Sequence, residues 1–190
     1  GVKKAILTVL NVVLELRAEL LKGLTPQLQT CFSRALQDVD ALVRDEAAIA
    51  LGRLMVLNPR VDPLVNELCT SALGSAAKVR HSMLLAIVSV LKFAGTKLSD
   101  KGMERVVSTL DQMRSDPSIN ADDKTRELTA LMLGAFGATC TPVFLEAVVK
   151  SCVTGARSAE ENVKDVNLQS LACLGSSCME VGGERKAAVE

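Results

Sequence analysis

Val43-Arg44-Asp45-Glu46-Ala47-Ala48-Ile49-Ala50-Leu51-Gly52 returns, altered but in the same frame, as Thr125-Arg126-Glu127-Leu128-Thr129-Ala130-Leu131-Met132-Leu133-Gly134. Val166-Asn167 leads through Leu171 to Leu174-Gly175 in the same way, and Val79-Arg80 leads through Ala86 to Val88 without the glycine. The frame therefore starts at residues 43, 79, 125 and 166, a period of about 40 residues, the length of a two-helix repeat. The longest interval holds Ser115-Asp116-Pro117-Ser118-Ile119-Asn120-Ala121, a breaker-rich insertion.

Prolines mark the other helix of each pair. Thr25-Pro26, Asp62-Pro63 and Thr141-Pro142 each stand at the head of an amphipathic run, the arrangement of an N-cap followed by a proline whose missing amide hydrogen is not needed. The period places a further start near residue 102, where Ser99-Asp100 precedes the stripe Met103, Val106, Val107, Leu110 and Met113. The pattern predicts first helices over 3–21, 40–57, 77–95, 122–139 and 160–178, and second helices over 26–38, 63–74, 100–115 and 142–154. The expected fold is all-α, a HEAT or armadillo-like solenoid of about four helical hairpins plus a terminal helix. Such hairpins bury their apolar stripes only by stacking on neighbours, and Ala48, Gly52, Ala130 and Gly134 are small enough to let adjacent helices approach closely.

Working outward, 1–190 reads as one array, with little apolar content from Gly182-Gly183 onward, so that 180–190 is expected to fray. The first helix carries Val2, Ile6, Leu7, Val9, Leu10, Val12, Val13, Leu14, Leu16, Leu20 and Leu21, leaving it apolar on more than one face. Its outer side is expected to pack on a preceding repeat of a longer chain or on a second copy. The uncharged stretch 128–145 is broken by glycines, threonines and Pro142, and reads as two soluble helices meeting at a turn rather than a membrane span.

Composition narrows the function. The 190 residues carry 22 basic and 22 acidic side chains, and aromatics are 2%, four Phe with no Trp or Tyr. There is neither a global field for a phosphate backbone nor a set of stacking platforms for bases, so direct nucleic-acid binding is not predicted. Cys31, Cys69, Cys140, Cys152, Cys173 and Cys178 form no CxxC pair and sit among apolar neighbours, as reduced buried thiols do. With His81 as the one histidine, clustered metal ligands are lacking, a nucleophilic triad could be sought only around His81, whose neighbours Arg80 and Ser82 belong to the repeat frame, and no phosphate-binding glycine loop occurs. Catalytic, cofactor and metal residues are accordingly none, and a solvated or capping role is preferred for His81. Asp122-Asp123 and Glu160-Glu161 fall at helix N-termini, where the helix dipole favours negative charge.

Two sets of residues remain. Arg44, Arg80 and Arg126 share one repeat position and are expected to form a ladder, bridging to carboxylates of adjacent units; Asp38, Asp40 and Asp45 are the partners expected for Arg44, with contact to another protein as the alternative. The polar face of the second helices should line the concave side of the solenoid. It comprises Arg34 and Gln37, Asn66 and Glu67, Glu104, Arg105, Ser108 and Asp111, then Glu146 and Lys150. As a set, these are the expected partner-binding residues.

Leu28-Gln29-Thr30-Cys31-Phe32-Ser33-Arg34-Ala35-Leu36-Gln37-Asp38, followed by Ala50-Leu51-Gly52-Arg53-Leu54 and Arg60-Val61-Asp62-Pro63-Leu64-Val65-Asn66-Glu67-Leu68, resembles the C-terminal HEAT repeats of the general control non-derepressible protein 1 family. The resemblance is clearest over 24–95 and thins towards the C-terminus. It implies a non-enzymatic cytoplasmic scaffold of translation control. The C-terminal portion of such a scaffold engages the RWD domain of the kinase that phosphorylates initiation factor 2α in amino-acid starvation, while other portions grip the ribosome. The resemblance associates the kinase contact with an arginine, for which Arg34, Arg44, Arg80, Arg105 and Arg126 are candidates. A HEAT adaptor of another class, for nuclear transport, phosphatase scaffolding or complex assembly, shares the Val-Arg to Leu-Gly pattern and is the alternative.

Overall fold

The computed structural model describes the backbone of residues 1–181 and the side chains of residues 1–178. The expected frayed tail lies, from residue 182, outside the described residues. Nine α-helices and no strand occur among those described: α1 (Val2–Arg17), α2 (Thr25–Ala35), α3 (Ala41–Leu54), α4 (Asp62–Gly74), α5 (Ala77–Ala94), α6 (Asp100–Ser115), α7 (Asp123–Thr139), α8 (Pro142–Gly155) and α9 (Glu161–Val181). The all-α expectation holds, and each helix falls within a few residues of its expected range. The chain divides into two compact units, Gly1–Leu98 and the part from Ser99 onward.

In the first unit α1, α3 and α5 lie side by side, while α2 packs on α3 and α4 on α5. The shared interior is built from Phe32, Leu36, Leu51, Leu54, Leu84, Ile87 and Leu91, all withdrawn from water; each such side chain contributes about 1.5–3 kcal/mol over its exposed state. In the second unit α7 lies along α9, α8 packs on α9, and α6 touches all three. Leu110, Met113, Met132, Leu133, Phe136 and Leu174 fill that core, and Phe136 meets Phe144 edge to face with centroids 6.5 Å apart.

Small residues act where the frame places them. A Cβ added at Gly52 would stand 2.5 Å from backbone and side-chain carbons of Ser89 on α5, and one at Gly134 would stand 2.9 Å from Ser177 Oγ and 3.0 Å from the Cys173 carbonyl oxygen on α9. The Val-Arg to Leu-Gly frame is thus a close helix-packing seam in each unit.

Three local expectations are corrected. The first helix stops at Arg17 and continues as a 3-10 segment, Ala18–Leu24, instead of running to 21. Thr25 does not cap α2: it is the first helical residue, and its hydroxyl donates backward to the Lys22 carbonyl at 2.8 Å, holding the end of the 3-10 segment. Asp62 likewise lies inside α4, whereas Thr141 does occupy the N-cap of α8 with Pro142 following, as expected, though without a capping side-chain bond. Capping falls instead to Asp40, Ser99 and Asp122, whose side chains accept from the amides of Leu42, Gly102 and Thr125. The outward side of α1 is uncovered, with Val2 76% and Leu16 68% exposed.

Candidate protein-binding faces

The ladder arginines are bound, though not to the expected carboxylates. Arg44 donates from Nη1 to the carbonyls of Asp38 (2.9 Å) and Val39 (3.2 Å) and from Nε to Ser82 Oγ on α5 (3.0 Å). Arg80 donates to the carbonyls of Ala72 (3.1 Å) and Ser75 (3.0 Å). In the second unit Arg126 donates to the Asn120 carbonyl and reaches the Asp123 carboxylate on its own first turn. The physical reason is shared: a helix or loop entering the turn leaves carbonyls unpaired, and a guanidinium from the next helix supplies the donors. The carboxylates are engaged elsewhere. Asp40 caps α3, and Asp38 pairs with Lys3 at 2.7 Å, a hydrogen bond that holds the Asp38 carboxyl below and the Lys3 ammonium above their ordinary values.

The fourth repeat has Asn167 where the others have arginine, and there the guanidinium comes from the other side. Arg114, at the end of α6, is 2% exposed. Its Nη1 donates to Asn167 Oδ1 (2.9 Å) and Cys152 Sγ (2.7 Å), its Nη2 to Ser151 Oγ (3.2 Å) and the Asp111 carboxylate, and its Nε to the Leu110 carbonyl (3.3 Å). Ser151 also donates to Asp111 at 2.9 Å. This knot ties α6, α8 and α9 together. Sequence reasoning missed Arg114, although two signals were available: it extends the stripe Val106, Leu110, Met113 as a charged residue at an apolar position, and Asn167 breaks the arginine series.

The expected partner-binding residues divide by exposure. Arg34, Gln37, Asn66 and Glu67 are exposed in the first unit, and Glu104, Ser108, Glu146 and Lys150 in the second. Arg105 and Asp111 are half-buried, and Asp111 is committed to the knot. In the first unit Arg34, Gln37 and Glu67 come together with Gln29, Thr30 and Ser33 around one open groove of about 420 Å³ between α2 and α4. Asn66 stands beside Glu67 without lining it. His81 is half-buried, one turn into α5. Among the described residues no three His, Cys, Asp or Glu side chains gather as a metal site would need.

Thiol environments give a direct check on the packing. Cys69, Cys140, Cys152 and Cys178 are buried, Cys173 is partly so, and Cys31 is exposed. Burial pushes the Cys152 thiol up, against the opposing charge of Arg114, and burial also pushes Cys173 up. The thiolate is the reactive form, so an aromatic disulfide reagent at pH 8 should label one cysteine rapidly, Cys31, and the buried set only after denaturation. Rapid labelling of Cys152 in the native chain would contradict the knot.

Residues 62–175 match the family described as stalled ribosome sensor GCN1-like HEAT repeats, so the likeness runs further towards the C-terminus than the quoted stretches suggest. Protein ILITYHIA of Arabidopsis thaliana is 37% identical over 133 residues, 70% of this chain and 5% of that protein. Stalled ribosome sensor GCN1 of Homo sapiens is 37% identical over 154 residues, 80% of this chain and 6% of that protein. The eIF-2-alpha kinase activator GCN1 of Saccharomyces cerevisiae is 35% identical over 136 residues, 70% of this chain and 5% of that protein. No solved structure matches. The chain therefore spans about a twentieth of the length of these relatives, and with its paired helices and recurring Val-Arg to Leu-Gly seams it belongs to the GCN1-like HEAT-repeat family.

Proposed function

We propose that this chain is a non-enzymatic, protein-binding segment of a cytoplasmic translation-control scaffold. Its relatives carry the names stalled ribosome sensor and kinase activator, and the partner we assign to this segment is the RWD domain of the kinase acting on initiation factor 2α, with ribosome contact left to other parts of a longer chain. The observation that carries the reading is the contrast between two kinds of arginine. Arg44, Arg80 and Arg126 are spent on backbone carbonyls, whereas Arg34 is exposed and shares a groove with Gln37 and Glu67, and among the described residues none of these three side chains has a hydrogen-bonding or ionic partner. Free polar side chains held on rigid helices suit recognition of another protein, with arginine favoured in such surfaces. The second helices of the other unit expose Glu104, Glu146 and Lys150, together with Ser108, whose hydroxyl accepts from Gln112 Nε2 at 3.3 Å. The uncovered stripe of α1 is the surface on which a preceding repeat would stack.

A pull-down of the 190-residue chain with the RWD domain tests this. Binding at low salt that weakens as salt rises is the expected result. No binding at low salt, with the helical far-ultraviolet signal intact, would favour the adaptor class of transport, phosphatase or assembly work.

A further inference from the structure

The groove between α2 and α4 is polar in an ordered way. Its α2 wall carries a positive charge, Arg34, and its α4 wall a negative one, Glu67. The two do not pair with each other, and neither has any other ionic or hydrogen-bonding partner among the described residues. Between them stand only neutral groups, Gln29, Thr30, Ser33 and Gln37. Of these, Thr30 is turned back on the Pro26 carbonyl at 3.0 Å and Gln29 accepts weakly from Asn58 at 3.4 Å, which leaves the two charges as the strongest unanswered groups in the groove.

We propose that this groove reads the direction of a bound partner segment: an acidic side chain of the partner seats against Arg34 and a basic one against Glu67, so that the segment crosses from α2 to α4 in one sense only. The inference rests on the protein-binding reading above and adds to it the chemistry of the segment. Exposed opposite charges contribute little to their own fold, but across an interface they set register and exclude the reversed arrangement, because like charges brought together are unfavourable. A single unpaired arginine would select any acidic surface. The fixed positive and negative walls select an ordered pair of charges.

The test uses the 190-residue chain, the RWD domain as probe, and three variants: Arg34→Glu, Glu67→Arg, and the double reversal, all at low ionic strength with folding checked by circular dichroism. Each single reversal is expected to weaken binding about 5- to 10-fold and the double reversal by at least as much as either, since the double variant turns the pair around. If the double variant recovers the affinity of the parent, the two residues matter only to each other and the inference is overturned. If none of the three alters binding, the protein-binding reading stands elsewhere on the surface and this groove is excluded. If the parent chain does not bind at all, the proposed function fails and this inference with it.

Discussion

Gly52→Ala is expected to lower the unfolding free energy by about 2–3 kcal/mol, at the upper end of what overpacking costs. The new methyl would meet Ser89 at 2.5 Å, and the nearest atoms include a backbone carbon, so relief requires α3 and α5 to separate. The aligned change Gly134→Ala should cost less, about 1–2 kcal/mol, because one of its two closest contacts is the Ser177 hydroxyl, which can rotate away. Gly74→Ala has nothing within 4 Å and should be neutral or slightly stabilising. Urea unfolding of the three variants checks the order. Equal stability for Gly52→Ala and Gly74→Ala would mean that the seam between α3 and α5 is looser than described.

Arg114→Leu is the second large effect, a loss of about 2–4 kcal/mol. Asn167 and Cys152 lie at 1% and 0% exposure and would lose their donor, which leaves a buried amide oxygen without a partner. The Asp111 carboxylate, partly in water, can be rehydrated, which keeps the loss below that of stranding a fully buried charge. Arg114→Lys should recover only part of it. An ammonium cannot reach Asn167, Cys152, Ser151 and Asp111 at once, because those four bonds depend on the flat guanidinium fork. A loss under about 0.5 kcal/mol for the leucine variant, the range of an ordinary surface change, would show that the knot does not hold α6, α8 and α9 together.

The architecture was legible where backbone chemistry leaves marks in the residue order. Pro26, Pro63 and Pro142 announced three helix starts, Ser99-Asp100 a fourth, and the repeated Leu-Gly endings located the tight seams. What the sequence hid was the use of polar groups. Thr25 and Asp62 look like caps, yet the helices begin at those residues, a matter of a single residue in register, and Thr141 holds the N-cap position without making the capping bond. Ala18–Leu24 has the composition of a continuing α-helix, but Arg17 leaves helical geometry and the segment tightens to a 3-10 form. Carboxylates were the natural guess for the ladder arginines because charge is visible in a sequence, whereas unpaired carbonyls at helix ends exist only once the chain has turned. Arg114 was missed for the same reason: four of its five partners come from side chains gathered by three helices.

For the candidate site, exposure was read well from the helical stripe. Eight of the ten expected residues are exposed and the other two, Arg105 and Asp111, are half-buried. The grouping of Arg34, Gln37 and Glu67 around one groove follows from the placement of α2 beside α4, which no spacing along the chain could state.

In the proposed function the second helices, and not the first, meet the partner. Amide chemical-shift mapping of the isotope-labelled chain, titrated with the RWD domain, addresses it directly. Perturbations gathered on α2 and α4 around Arg34, Gln37, Asn66 and Glu67, with a further set on α6 and α8 around Glu104, Ser108, Glu146 and Lys150, are the predicted result. Perturbations confined to α1, α3 and α5, or absent while the domain binds, would contradict it.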